Sequence, residues 1–390
     1  MPLQVPSSDD LDDLKSLEEL LTSLRKIKRR KRSAEANSKQ TEQLNALYNT
    51  IIGLLEKSNL YDIEEISDVL ERVLTAKKEI ATVAAYRLFN PGWDVTAKSF
   101  SNLTSQDLFS LNVELQAAIH QDSFSKALSG FKCNPSMPDF DYSRLLGVTR
   151  LIGQHREAGC RMVINEFIYT LIRHCKRRET AQDGRLVYVI PELPLSRSEG
   201  NAFPVIIEHE SVTESGVNRM ATLLSGSTDY GLLSLPDDRH LVAFGGEDTT
   251  LSPSLSSLSE ILNVASTKKL FQMLDGEFML VEAKGNPPDL AACVPQVIGQ
   301  ALASSAATYP EPKDIYEVMQ IPFCLTNGSQ WIFGLVDTSG PKSICWQTDA
   351  IDMSSNNVSY IMEPFFVWAT QSKSKIRDMF QGIAARSPAR

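Results

Sequence analysis

The sequence predicts an α+β (α/β) chain, helices and several strands preceded by an all-α N-terminal region. Three observations carry this. Apolar residues recur at three- and four-residue steps through the first third, as in Leu14, Leu17, Leu20, Leu21 and Leu24, which is the helical period. From Leu186 onward the texture changes to short β-branched runs between polar turns, as strands require. Near the C-terminus an Asn327-Gly328 pair separates two apolar runs, the strongest short-range hairpin signal.

Taken in order, residues 1–10 are acidic and polar and read as a disordered tail. Helical stretches follow with Leu44, Leu47, Ile51, Leu54 and Leu55, then Ile63, Ile66, Val69, Leu70 and Val73, until Asn90-Pro91-Gly92 breaks the series. Ser105-Gln106-Asp107 is set to cap a further helix carrying Leu108, Leu111, Leu115 and Ile119. The helical N-terminal region is therefore expected over 11–132, with a domain boundary in the loop CNPSMP at 133–138. A second domain is expected over 140–370 and a C-terminal tail over 371–390. Within the domain, 145–178 reads as one long helix or a pair broken near Gly159. Strands are expected at 186–190, 205–207, 232–235 and 278–281, a small-residue helix at 291–307, and a hairpin at 321–336. The Ser/Leu-rich stretch at about 236–270 is expected to loop out.

Composition narrows the function classes. The 390 residues carry 39 Lys and Arg against 48 Asp and Glu, a formal net charge of −9, which argues against a protein that coats nucleic acid by bulk charge. No apolar run is long enough to span a bilayer, and the polar start lacks the apolar core of a secretory leader. The expectation is an intracellular protein without membrane contact. Its six cysteines have irregular gaps and no C-x-x-C, so they read as reduced thiols rather than a zinc or disulfide framework. No Walker A motif, dinucleotide fingerprint or kinase signature is present. The segment 25–32, RKIKRRKR, is basic at seven of eight positions. Either it is the solvated end of a helix, or it is a nuclear-localisation or nucleic-acid patch that includes Lys28, Arg29 and Arg30. Arg173 and Arg177 raise the same choice at the end of the long helix. The N-terminal helices also offer a surface for self-association or a protein partner.

The segment that carries chemistry is FMLVEAKG at 278–285. Residues i and i+2 of a strand share a face, so Glu282 and Lys284 stand side by side where a buried strand ends. A carboxylate there binds a hard cation, and an ammonium positions or activates water. A partner carboxylate is found in LLSGSTDYGLLSL at 223–235, where Asp229 interrupts an apolar run at a cost unless paired or metal-bound. Asp275 is the competitor, although Asp275-Gly276 has the form of a turn. Glu208-His209-Glu210 is a weaker metal candidate, because adjacent strand residues face opposite ways.

This arrangement resembles the PD-(D/E)XK nuclease superfamily, the restriction-endonuclease-like fold, over about residues 145–340. The resemblance rests on Asp229-Tyr230, then Glu282-Ala283-Lys284, then Gln296 and Gln300 at i,i+4 spacing on the following helix. The final LTNGSQWIFGLV is similar to the strand pair that follows that helix in fungal and bacterial members. Two departures put the Asp assignment in question: a 53-residue gap from Asp229 to Glu282, and no proline before the Asp. The resemblance implies a mixed central sheet flanked by helices, and a nuclease in which Asp229, Glu282 and the Ala283 carbonyl hold Mg²⁺ or Mn²⁺. It implies that Lys284 acts on the attacking water and that Gln300 and Gln296 contact phosphate or the lysine. It also implies a Glu on the preceding helix, which Glu166 fits, with Glu157 as the other candidate. The expected partner is nucleic acid, DNA in the first instance. The rival expectation is a catalytically silent binding or interaction module on the same fold.

Overall fold

The structure is a computed structural model describing residues 89–131, 142–152, 157–178, 185–195, 205–213, 216–236, 278–308 apart from 286 and 288, 320–354 and 357–386, with isolated positions before 89. Chain contacts divide the protein into two units, Met1–Pro91 and Gly92–Arg390. Every element below belongs to the second. The basic run 25–32, the 237–277 part of the Ser-rich insertion and Asp275 lie outside the described residues.

Among the described residues the second unit contains two sheets. The larger joins β2 (Val113–Leu115), β3 (Arg185–Pro194), β6 (Ser227–Pro236), β7 (Phe278–Ala283), β8 (Gln320–Thr326), β9 (Gln330–Asp337) and β10 (Ser343–Gln347) in the order β2-β10-β9-β8-β7-β6-β3, with β11 (Ile351–Asp352) beside β9. The smaller joins β1 (Asp94–Ser99), β4 (Val205–Thr213) and β5 (Gly216–Ser225) in the order β1-β5-β4. The sheet is mixed as expected: β3, β6 and β7 are antiparallel neighbours, and β8 lies parallel to β7.

Strand β7 is central, and all six of its residues are buried. A strand covered on both faces reads as a continuous apolar run, which is why FMLV precedes the charged residues. Its even and odd positions serve two cores. Met279, Val281 and Ala283 face a core with Val163, Phe167 and Phe365 from α4 (Glu157–Arg178) and α6 (Val358–Thr370). Phe278 and Leu280 face a core with Val297, Ile298 and Ala301 from α5 (Val294–Thr308). Glu282 follows Phe278 and Leu280 in phase, so it points toward α5. On another face α5 packs closely on the 100–103 segment through a glycine. A Cβ on Gly299 would come 2.2 Å from Leu103 Cδ1.

The 145–178 stretch is a broken pair, α3 (Tyr142–Leu151) and α4, and Gly159 lies inside the second helix. The expected hairpin is β8–β9. Asn327 Oδ1 accepts from the Ser329 and Gln330 amides at 3.1 and 2.7 Å, and Gly328 takes φ 82 at the tip.

Four expectations are corrected. The all-α reading fails over 94–115, where β1 pairs with β5 and β2 with β10. The predicted helix from Asp107 is only α1 (Asp107–Ser110), because Asn112 turns the chain at φ 54. The segment expected as a boundary loop is followed by no new unit: 92–131, including α2 (Gln121–Leu128), belongs to the same body as the rest. The expected C-terminal tail is also a helix, α7 (Lys373–Ala384), which buries Ile376, Phe380 and Ile383. Among the described residues no helix is long and apolar enough to cross a membrane.

Candidate active site

Strands β6 and β7 pair with Tyr230 opposite Val281, so one step further Asp229 and Glu282 stand across from each other. Like charges in that relation are destabilising unless compensated. Each carboxylate takes a backbone amide from the other strand. The Asp229 amide donates to Glu282 Oε2 at 3.3 Å, and the Ala283 amide donates to Asp229 Oδ2 at 2.6 Å. Thr228 Oγ1 adds a donor to Glu282 Oε2 at 3.4 Å. Both acids are buried, Asp229 at 8% and Glu282 at 4% exposure.

The remaining donors follow from strand and helix periods. Lys284 lies two residues beyond Glu282, and its Nζ sits 2.8 Å from Glu282 Oε1. Gln296 and Gln300, one helical turn apart on α5, both reach Glu282. Gln296 Nε2 donates to Oε1, and Gln300 Nε2 donates to Oε2 at 2.8 Å and to the Ser227 carbonyl at 3.0 Å. Gln300 is fully buried, and its Oε1 has no hydrogen-bond partner. The structure thus brings together Asp229, Glu282, Ala283, Lys284, Gln296 and Gln300.

A further residue was missed. Arg161 of α4 forms an ion pair with Asp229 Oδ1, and its guanidinium also reaches Glu157 Oε1 at 3.0 Å and Glu192 Oε1 at 3.2 Å. Glu192 lies on β3 between Pro191, opposite Tyr230, and Leu193, opposite Thr228. Acidic residues of three neighbouring strands therefore stand in one row: Glu192, Asp229, Glu282. Glu192 holds φ 49, a left-handed conformation that costs a non-glycine residue about 1 kcal/mol or more. The Glu157–Arg161 spacing of i,i+4 was readable as a helical pair; its meeting with Asp229 was not.

Other predicted residues lie elsewhere. Glu166 is corrected: nine residues beyond Glu157, it stands about 13 Å further along α4 and half a turn round. The carboxylate that α4 brings to the cluster is Glu157, the other candidate. A Cβ on Gly285 would come 3.1 Å from the Glu157 nitrogen, so the start of α4 abuts the end of β7. Arg173 is exposed, bonds the Tyr169 carbonyl at 3.3 Å and lies about 18 Å along the helix from Arg161. Arg177 is one turn further still. Lys28, Arg29 and Arg30 fall outside the described residues. His209 belongs to the smaller sheet, where neighbouring Glu210 pairs with Arg219 at 2.9 Å.

Burial, then the Glu282 charge, pushes the Asp229 carboxyl up to about 6, although the Ala283 amide and Arg161 pull the other way. Burial would lower the Arg161 guanidinium, but Asp229 and Glu157 raise it above its ordinary value. Tyr230 is pushed up to about 12 by burial and by the neighbouring Asp229 charge. A raised carboxylate beside a second acid marks a place short of positive charge, and the donors there are hard oxygens, which suit Mg²⁺ or Mn²⁺. Among the described residues no group of three His, Cys, Asp or Glu is arranged to hold a metal. A cation here would have the two carboxylates, a backbone carbonyl and water as ligands, a set that would suit the habit of Mg²⁺ of keeping several waters.

The chain matches no protein-family model and no curated protein.

Proposed function

We propose that the chain is a metal-dependent nuclease of restriction-endonuclease-like fold that hydrolyses phosphodiester bonds, with DNA as substrate. The observation that carries this is the facing pair Asp229 and Glu282 on adjacent strands, with Lys284 Nζ 2.8 Å from Glu282. The run of elements supports it too: a helix, antiparallel neighbours β3, β6 and β7 with β4 and β5 of the smaller sheet inserted after β3, then helix α5 and the parallel strand β8. The two acids belong to the adjacent strands that the resemblance requires.

Asp229, Glu282 and the Ala283 carbonyl are the residues that would hold Mg²⁺ or Mn²⁺, which supplies Lewis-acid polarisation of the phosphodiester and a lower pKa for water. Lys284, with 19% of its side chain exposed, reaches solvent from a buried partner. Its ammonium orients the attacking water and offsets charge that builds on phosphorus. Gln296 and Gln300 hold the Glu282 carboxylate in one orientation, the role outer-shell partners play at metal sites. The basic run 25–32 is assigned to nuclear targeting or DNA contact under the same reading.

Purified protein with plasmid and Mg²⁺ is expected to nick or linearise the DNA, and chelation is expected to stop it. Equal cleavage by wild type, Glu282→Ala and Lys284→Ala overturns the assignment. A second reading, a silent interaction module, draws on one observation: Arg161 and Lys284 between them already neutralise Asp229 and Glu282. Calorimetric titration with Mn²⁺ separates the two, since a silent module shows no carboxylate-dependent binding.

A further inference from the structure

We propose that Arg161 is the exchangeable counter-ion of Asp229: its guanidinium occupies the charge position that a divalent cation takes over, so the Arg161–Asp229 pair and cation binding exclude one another. This rests on the metal-dependent reading above and adds a residue that no sequence motif marked.

The argument is an inventory of Asp229's oxygens. Oδ2 is engaged by the Ala283 amide at 2.6 Å, and Oδ1 by the Arg161 guanidinium. A cation approaching this buried carboxylate meets Arg161 at Oδ1, while Oδ2 stays with the Ala283 backbone amide, which the pairing of β7 with β8 holds in place. Arg161 has a second place to rest. Its two terminal nitrogens already touch Glu157 at 3.0 Å and Glu192 at 3.2 Å, and those side chains are 48% and 74% exposed. Released from Asp229, the guanidinium stays tethered at the mouth of the site, where a phosphate-bearing substrate enters. Glu192, across from Asp229 and in the left-handed region, places the outer tether. Formal charge agrees with Arg161 giving up Asp229 Oδ1 while staying at the edge of the site. Glu157, Glu192, Asp229 and Glu282 against Arg161 and Lys284 leave a deficit of two positive charges. One divalent ion closes it only if Arg161 remains nearby instead of leaving the site.

The test is Mn²⁺ binding by calorimetry at pH 8 on the full chain, comparing wild type, Arg161→Gln and Arg161→Lys, each checked for native circular dichroism. Removing the competitor is expected to tighten Mn²⁺ binding at least about tenfold in Arg161→Gln. Arg161→Lys keeps a charge but cannot bridge the three acids, and is expected to tighten binding by less. On the wild type itself, Mg²⁺ is expected to shift the Arg161 side-chain resonances in ¹⁵N-arginine spectra. Unchanged or weaker Mn²⁺ binding in the folded variants overturns the inference while leaving the nuclease reading intact. Loss of Mn²⁺ binding from all three proteins overturns both. If Arg161→Gln does not fold, Arg161→Lys and the wild-type spectra decide.

Discussion

Asp229 and Glu282 hold each other through backbone as well as across charge. The Asp229 amide donates to Glu282 Oε2 at 3.3 Å, and the residue after Glu282 returns a bond to Asp229 Oδ2 at 2.6 Å. Two acids that repel one another are thus fixed at the same level of adjacent strands. The strands provide the frame and Lys284; helix α4 brings the Arg161 charge, and helix α5 brings the neutral hydrogen-bond donors Gln296 and Gln300.

Lys284→Met and Glu282→Gln preserve shape while removing charge. Each is expected to lower DNA cleavage by at least about 10²–10³-fold, the scale for losing one electrostatic stabiliser of a transition state. Single-turnover cleavage measures the loss, and an unchanged thermal midpoint for Lys284→Met would show that the effect is chemical rather than structural.

The raised Asp229 carboxyl predicts a pH dependence for the metal-free protein. Its value moves from 3.8 to about 6 on folding, so the folded chain holds this proton more tightly than the unfolded chain. The contribution is fully present below about pH 4 and is lost as pH rises through 6. In chelator, the thermal midpoint should therefore carry a component that falls from pH 4 to 6.5. Asp229→Asn should lack that component, and an identical profile in the variant would contradict it.

Gln300 donates to Glu282 Oε2 and to the Ser227 carbonyl while fully buried. Gln300→Leu leaves both acceptors short of a donor and the Glu282 carboxylate freer to turn. Cleavage and Mn²⁺ affinity are expected to fall about 10–100-fold together. Calorimetry and kinetics on the same preparation test whether the two losses track.

Truncation after Thr370 removes α7, whose Ile376, Phe380 and Ile383 are buried, with Phe380 5.6 Å from Phe124 between ring centroids. Losing burial of three such side chains costs about 4.5–9 kcal/mol at 1.5–3 kcal/mol each. Urea unfolding of the truncated chain should show a much lower midpoint or no cooperative transition. A midpoint within error of the full chain would mean that α7 contributes nothing to stability.

Much of the site was readable because its spacings are local. Glu282 and Lys284 share a face by the period of a strand, Gln296 and Gln300 share one by the period of a helix, and Asp229 stood out as a charge inside an apolar run. The hairpin, the small-residue helix and the buried strand β7 were readable for the same reason. What failed depended on distant partners. Strand β2 exists because it pairs with β10, more than two hundred residues later, and no periodicity within 113–115 records that. The α7 helix read as a tail although its apolar stripe needed only a surface to cover.

The sequence by itself determined which residue types could carry hydrolytic chemistry and which strand and helix would present them, since neighbours along a chain keep fixed directions. Only the tertiary structure decided which charges meet. It set Glu192, Asp229 and Glu282 in one row, chose Glu157 over Glu166, and laid Arg161 across the acids. These contacts join elements separated by tens of residues, and the low-dielectric interior that gives them their strength exists only once the sheet and helices have closed around them.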